Sequence, residues 1–133
     1  MSFFDTSFVV DLLREQRRNL YGPAHRKLES MGEIPARLSL FVVCELEAGA
    51  AITRAPEEAR RVHLFCQHCD VVYPDDRFAA VYGTKLAEIK RGGQSVSTMD
   101  LLVATVALVE QEPLITRNLK DFQKIPGLRV EDY

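Results

Sequence analysis

At 133 residues, of which 47% are hydrophobic, the chain is long enough to bury a substantial core, and we expect residues 1–133 to form a single domain. Its formal net charge of −2 gives no general attraction to nucleic acid, so any hold on RNA or DNA must come from local basic patches. No apolar run approaches the roughly 20 residues that span a bilayer. The N-terminus also lacks the basic and apolar regions of a signal peptide, and we therefore expect a cytoplasmic protein.

The first half of the chain alternates between strand-like and helix-like segments. Residues 2–4 read as a short buried strand, and residues 8–16 carry apolar side chains at helical spacing after the capping residues Asp5, Thr6 and Ser7. Further elements are predicted at 24–31 (helix), 37–40 (strand), 42–51 (helix) and 56–68 (helix, with Pro56 at its start).

The second half continues the same alternation. A strand over 70–73 is stopped by Pro74, and Asp75 and Asp76 cap a helix that runs to about residue 90. The remaining predicted elements are a helix over 99–109, capped by Ser97 and Thr98, and strands over 113–116 and 128–130. Strands that alternate with helices indicate an α/β domain with a mostly parallel sheet, whose sites form beyond the carboxyl ends of the strands.

Four acidic residues lie at or near the ends of apolar runs, in distant parts of the chain: Asp5, Glu45, Asp100 and Asp121. A carboxylate beside a buried element is costly unless something positive meets it, so four of them suggest one shared cation. Mg²⁺ and Mn²⁺ prefer oxygen ligands, and such an ion activates water and neutralises phosphate oxygens. The pattern therefore points to metal-assisted cleavage of a phosphodiester bond.

Each of these acids also has a simpler interpretation. Asp5 is placed to cap the first helix, and Asp100 is a first-turn acid that a helix dipole favours. Glu45, which has Glu47 two residues away, and Asp121 both suit solvated positions. Capping and catalysis are compatible for Asp5.

Several short motifs together resemble a known family. They are Phe4-Asp5-Thr6-Ser7 near the start, Glu45-Leu46-Glu47-Ala48-Gly49 after the second strand, Asp100-Leu101-Leu102-Val103-Ala104-Thr105 in mid-chain, Thr116-Arg117-Asn118 with Asp121-Phe122, and the closing segment from Gly127 to Tyr133. Each motif alone is weak, but their order and spacing over so short a chain are specific. The chain resembles the PIN-domain nucleases, and within them the VapC-type toxins of toxin–antitoxin pairs, over essentially its whole length.

The resemblance implies a three-layer α/β/α sandwich with a mostly parallel central sheet. It implies an endoribonuclease dependent on Mg²⁺ or Mn²⁺, with structured RNA such as tRNA or rRNA as the substrate class. It also implies a homodimer and neutralisation by a small VapB-like antitoxin. Asp5, Glu45 and Asp100 carry over as the acidic core of the site.

The segment after Thr116 departs from the family pattern. Many relatives have an acid two residues after the matching threonine, where this chain has Asn118. Asp121 then becomes the fourth expected carboxylate, and the amide oxygen of Asn118 remains an expected metal ligand. Whether one or two ions bind is left open.

Neighbouring polar residues complete the predicted site. Thr6, Ser7 and Thr116 are expected to orient the carboxylates through their hydroxyl groups. Arg117, adjacent to the presumed site, is the basic residue that we expect to contact the RNA backbone.

Other interpretations stay open at this point. Residues His63, Cys66, His68 and Cys69 have partial zinc-ligand spacing, but no second pair completes the set. The three cysteines are odd in number and indicate no disulfide framework, and Cys44, in an apolar run, is expected in the core. The rival functions are a non-toxic PIN nuclease acting on RNA or DNA, and a PIN-fold binding module that cuts nothing. A flavodoxin-like or receiver-like domain is weaker, because no acidic pair follows the first strand.

Overall fold

A computed structural model describes all residues from Met1 to Tyr133. The strands are β1 (Ser2–Phe4), β2 (Ala36–Ser39), β3 (Asp70–Val72), β4 (Leu114–Ile115) and β5 (Val130–Glu131). The helices are α1 (Thr6–Arg17), α2 (Pro23–Ser30), α3 (Leu40–Thr53), α4 (Pro56–Gln67), α5 (Phe78–Arg91), α6 (Thr98–Glu110) and α7 (Leu119–Phe122).

The five strands form one sheet in the order β3-β2-β1-β4-β5, and every neighbouring pair is parallel. The register pairs Phe3 with Arg37 on one side and with Leu114 on the other, so β1 is the central strand. Seven helices flank the sheet. The predicted α/β/α architecture with a mostly parallel sheet is therefore confirmed.

The central strands are buried on both faces. Successive side chains of a strand point to opposite sides of the sheet. Phe3 and Phe4 in β1, and Leu114 and Ile115 in β4, are all fully buried, so helices cover both faces here. Their burial fixes the position of β1 and β4 next to each other, and with it the position of the residues that follow both strands.

The structure places the start of α3 two residues before the predicted position. The sequence suggested that the strand runs to residue 40 and that the helix begins at residue 42, whereas β2 ends at Ser39 and α3 begins at Leu40. Ser39 is the N-cap, and its side-chain oxygen accepts a hydrogen bond from the Val42 N–H at 3.2 Å. An apolar run suits strand or helix about equally, and this single hydroxyl decides the boundary.

Two further expectations need correction. Cys44 is exposed on α3 and is not a core residue, because the apolar run that contains it is helical and turns this position to solvent. The single turn α7 was not predicted, since four residues are too few to show helical periodicity.

Candidate metal-binding active site

The acidic residues collect around the central strand. From β1 the chain moves outward to β2 and β3 on one side, while β4 and β5 lie on the other side. The strand order therefore reverses between β1 and β4, which is where ligands bind in open parallel sheets. Asp5 directly follows β1, and Thr116 directly follows β4.

Asp5 is held by two hydroxyl groups. Its Oδ2 accepts hydrogen bonds from Ser7 Oγ at 2.9 Å and from Thr116 Oγ1 at 2.8 Å. Thr116 is fully buried, and its own oxygen accepts a hydrogen bond from the Asn118 N–H at 2.9 Å. Because the donors all meet Oδ2, the second carboxylate oxygen of Asp5 remains available to a ligand.

The capping interpretation of Asp5 does not account for this arrangement. Asp5 stands at the N-cap of α1, but its side chain accepts no hydrogen bond from the backbone N–H groups of the helix. Ser39 and Ser97, at the N-caps of α3 and α6, do accept such bonds from the helix backbone. Asp5 is only 6% exposed, so its carboxylate is oriented by its hydroxyl partners rather than by the helix end.

Glu45 approaches Asp5 from α3. Its Oε1 accepts a hydrogen bond from Thr6 Oγ1 at 2.7 Å, which ties it to the residue directly after Asp5. Burial raises the pKa of Glu45 above its ordinary value, and the nearby negative charges of Asp5 and Asp100 raise it further against the opposing effect of the Thr6 bond.

Asp100 approaches from the first turn of α6. Its backbone N–H donates to Ser97 Oγ at 3.1 Å, which fixes the start of the helix. Burial raises the pKa of the Asp100 carboxyl, and the charges of Asp5 and Asp121 raise it further, whereas the Ser97 contact lowers it. Like charges therefore meet here from three elements that are far apart in sequence.

No cationic side chain neutralises the three central carboxylates. None of the ion pairs in the structure includes Asp5, Glu45 or Asp100. Asp5 is buried, and Glu45 and Asp100 are partly buried. Carboxylates withdrawn from water in this way without a positive partner are electrostatically unfavourable, and an oxygen-preferring divalent ion would relieve the repulsion. The donor set therefore fits Mg²⁺ or Mn²⁺ in chemistry. As the side chains stand, no three acidic, His or Cys groups are close enough to hold an ion, so ligation would require them to draw together.

The remaining predicted ligands lie at the edge of this group. Asn118 is exposed, and its backbone N–H, not its side chain, is engaged. Asp121 lies in α7, and its Oδ1 is 3.7 Å from Lys124 Nζ. Asp121 is close enough to Asp100 to raise the pKa of that carboxyl. The side chain of Asn118 makes no hydrogen bond to any of the acids.

Arg117 is also at this edge, and the structure gives it a partner that the sequence did not suggest. Its backbone N–H donates to Ser7 Oγ at 3.1 Å. Its guanidinium Nη1 lies 2.9 and 2.8 Å from the two carboxylate oxygens of Asp11, a buried residue of α1. Asp11 was missed because an isolated acid within a helical pattern reads as a solvated residue.

The zinc interpretation finds no support in the positions of its residues. His63 Nε2 lies 3.0 Å from the Glu47 carboxylate on the outside of α4. Burial raises the pKa of both the Cys66 and Cys69 thiols, that of Cys69 to about 12, and this disfavours the thiolate that zinc binds. No group of three potential ligands forms there.

Comparison with known proteins agrees with the fold. The family model of the PIN domain matches residues 2–128. The chain therefore belongs to the PIN domain family, which confirms the resemblance seen in its motifs.

Its relatives include named VapC proteins. The chain is 27% identical to Ribonuclease VapC1 of Haemophilus influenzae (strain R2866) over 130 residues, which are 97% of this chain and 95% of that protein. It is 33% identical to the tRNA(fMet)-specific endonuclease VapC of Salmonella typhimurium over 97 residues, which are 72% of this chain and 74% of that protein.

The fold also matches solved structures. In the crystal structure of DNA-bound VapBC from Salmonella typhimurium, one chain superposes with a TM-score of 0.86 and 26% sequence identity, covering 98% of this chain and 96% of that chain. In the present structure, no helix combines the length and apolar character needed to cross a membrane.

Proposed function

We propose that this protein is a VapC-type endoribonuclease that cleaves RNA phosphodiester bonds with the help of Mg²⁺ or Mn²⁺. The observation that carries the proposal is the convergence of Asp5, Glu45 and Asp100, from three separate elements, into a cluster without a cationic partner. Such a cluster attracts a hard divalent ion rather than serving stability, because carboxylates without a positive partner repel one another.

In this proposal the carboxylates have different roles. Asp5 and Asp100 are the principal ligands, with Glu45, Asp121 and Asn118 as further oxygen donors. When bound, the divalent ion supplies positive charge for the phosphate oxygens and makes a water molecule easier to deprotonate. Thr6 holds Glu45 through Oε1 only, so Oε2 is available to accept the proton of the attacking water.

The surrounding hydroxyl groups keep the carboxylates in position. Ser7 and Thr116 hold Asp5 through one oxygen and leave the other for the ion. Arg117, next to Thr116 and mostly exposed, supplies a positive side chain for an RNA phosphate in a protein that is acidic as a whole.

Substrate and partner follow from the relatives. Structured RNA such as tRNA is the substrate class that we propose, since a relative is named as a tRNA-specific endonuclease. A small VapB-like antitoxin is the proposed inhibitor, since this protein superposes on one chain of a VapBC structure. We propose a cytoplasmic location, and a homodimer remains a prediction.

The test is cleavage of unfractionated bacterial tRNA and rRNA by the purified protein, with Mg²⁺ or Mn²⁺ and with EDTA. We expect the wild type to cut only with the ion present. Asp100→Asn and Asp5→Asn preserve side-chain size while removing charge, and we expect each to reduce cleavage by at least about a thousandfold with the fold intact.

The two rival functions give different results in the same experiment. Equal cleavage by wild type and both variants would reject the acidic site. RNA binding without cleavage by the wild type would favour a binding module. Cleavage in vitro without growth arrest, when the chain is expressed alone in bacteria, would favour a nuclease that is not a toxin.

A further inference from the structure

Asp11 collects an unusual set of partners for a helix residue. It is buried on α1, and its carboxylate accepts hydrogen bonds from Arg14 Nη1 at 2.9 Å and from the Tyr133 hydroxyl at 2.6 Å. The same carboxylate receives Arg117 Nη1 at 2.9 and 2.8 Å. Asp11 thus connects α1 to the segment after β4 and to the segment after β5.

The guanidinium group of Arg117 is held through only one of its three nitrogens. The guanidinium group has five N–H donors, and the contacts to Asp11 use a single nitrogen, Nη1. The Nε and Nη2 groups have no protein partner, and the side chain is 59% exposed. The unused donors therefore lie at the surface, on the residue that directly follows Thr116.

The backbone of Arg117 is linked through Ser7 to Asp5, one of the three central carboxylates of the proposed site. Its N–H donates to Ser7 Oγ, and that hydroxyl donates to Asp5 Oδ2. Both ends of Arg117 are therefore fixed relative to Asp5, the backbone through Ser7 and the guanidinium through Asp11. An arginine fixed in this way loses little further freedom when it binds a ligand.

We infer that Asp11 is a positioning residue, which holds Arg117 so that its free N–H groups receive a phosphate oxygen of the RNA being cleaved. The inference rests on the proposed ribonuclease function. A phosphodiester suits both the Arg117 guanidinium and the nearby carboxylates. Its negative charge pairs with the arginine, and its oxygens can bind a cation held by the carboxylates. Asp11 itself does not touch the RNA and acts only through Arg117.

The alternative is that Asp11 only stabilises the fold. Asp11 accepts a hydrogen bond from the Tyr133 hydroxyl, and the centroid of the Tyr133 ring lies 4.7 Å from that of Phe8. Loss of the Asp11 carboxylate would therefore also loosen the packing of these two rings. A stability role predicts a lower melting temperature and no change in KM. A positioning role predicts a higher KM that depends on the presence of Arg117.

The test is a double-mutant cycle on cleavage of unfractionated bacterial tRNA with Mn²⁺, recording KM, kcat and melting temperature. We expect Arg117→Gln to raise KM about tenfold and to leave kcat within about twofold, because a charge-assisted contact to substrate is lost. Asp11→Asn should raise KM about fivefold. In the double variant KM should equal that of Arg117→Gln alone, because Asp11 then has nothing to position.

Two further variants keep the result interpretable. Arg14→Gln removes a different arginine and one bond to Asp11, and we expect KM within about twofold of the wild type. Arg117→Lys keeps a positive partner for the buried Asp11, so it folds even if Asp11→Asn does not. A lysine lacks the planar fork that binds two groups at once, so KM should still rise about fivefold.

Several outcomes would overturn the inference. One is an Asp11→Asn effect on KM that persists in the Arg117→Gln background. Others are a lowered melting temperature with unchanged KM, a wild-type KM for Arg117→Lys, or an Arg14→Gln effect as large as that of Arg117→Gln.

The proposed function can fail separately. If the wild type binds fluorescein-labelled tRNA without cutting it, the cycle is run on the dissociation constant with the same expectations. If it neither binds nor cuts, the ribonuclease proposal fails, and the role of Asp11 fails with it.

Discussion

At the scale of single residues, the hydroxyl groups of Ser7 and Thr116 determine the orientation of the Asp5 carboxylate. Both hydroxyl groups donate to Oδ2 of Asp5. Thr116 directly follows β4 and is more than a hundred residues from Asp5 in the sequence. A carboxylate oriented by fixed donors presents its free oxygen in one direction, which is what a metal ligand requires. The orienting groups are therefore as important to the proposed site as the acids themselves.

Thr116 gives a direct test of this orientation. Thr116→Val keeps the shape of the side chain but removes the hydroxyl, and we expect tRNA cleavage with Mn²⁺ to fall by about 10- to 100-fold. Thr116→Ser keeps the hydroxyl and serves as the matched control, with activity within about threefold of the wild type. Equal losses in the two variants would mean that packing, and not the hydrogen bond to Asp5, is what the reaction needs.

At the scale of elements, the start of α2 depends on an acid from α1. Glu15 accepts hydrogen bonds from the backbone N–H groups of Gly22, Ala24 and His25, and one from the His25 ring. These donors are the unpaired N–H groups of a helix N-terminus, which α2 does not satisfy with a cap of its own. A Cβ at Gly22 would collide with the Glu15 carboxylate, so a larger residue at this position would displace the side chain that caps α2.

This cap predicts a dependence of stability on pH. Burial tends to raise the pKa of Glu15, but the hydrogen bonds from His25, Ala24 and Gly22 outweigh it, and the pKa lies below the ordinary 4.5. Because the folded state has the lower pKa, the stabilisation is complete above the unfolded value and is lost as pH falls through the folded value. We expect Glu15→Gln to lower the free energy of unfolding by about 2 kcal/mol at pH 7, and the difference from wild type to shrink in acid.

Urea unfolding at several pH values between neutral and about pH 3 measures this difference. Glu29→Gln, at an exposed position of α2, is the matched control and should change the free energy of unfolding by less than about 0.5 kcal/mol. If Glu15→Gln lowered the free energy of unfolding by the same amount at every pH, the negative charge of the carboxylate would not be what stabilises the start of α2.

At the scale of the whole molecule, the carboxylate cluster opposes folding in the absence of a cation. Asp5, Glu45 and Asp100 come from three elements and repel one another once the chain is folded. Any ligand that binds only the folded protein stabilises it. If the proposed ion binds these carboxylates, we therefore expect stability and metal binding to be coupled through the same side chains.

Thermal unfolding with and without Mn²⁺ tests this coupling. At an ion concentration about 100 times its dissociation constant, the gain of about 2.7 kcal/mol corresponds to a melting temperature higher by on the order of 8 °C. Asp100→Asn should be more stable than the wild type without the ion and should gain little when it is added. Equal shifts in both proteins would place the ion somewhere other than this cluster.

The features that the sequence predicted well are those with a local signal. The apolar pair Phe3 and Phe4 stands between the polar residues Ser2 and Asp5, and Pro56 marks the start of α4, so β1 and the start of α4 were predicted where the structure has them. The all-parallel sheet follows from the alternation of strands and helices, although the order of its strands does not.

The features that escaped prediction depend on partners far away in the chain. Asp11 contacts Arg117 and Tyr133, which are 106 and 122 residues further along the chain. The sequence around Asp11 gives no indication of these contacts. Likewise, the sequence placed Arg117 beside the site without showing that one of its nitrogens is already engaged. Such pairs become visible only when the sheet brings both segments together.

The central position of β1 has a consequence for how the protein is made. β1 is synthesised before the other four strands, but its partner β4 is more than a hundred residues further along, so one edge of β1 stays unpaired until β4 has also been synthesised. Contacts this distant in sequence form late, because closing the intervening loop costs entropy before the contact repays it. We therefore expect Asp5 to meet Thr116 only late in folding. A nascent or broken chain then lacks the assembled carboxylates of the proposed nuclease centre, and with them the means to damage the RNA of the cell that is producing it.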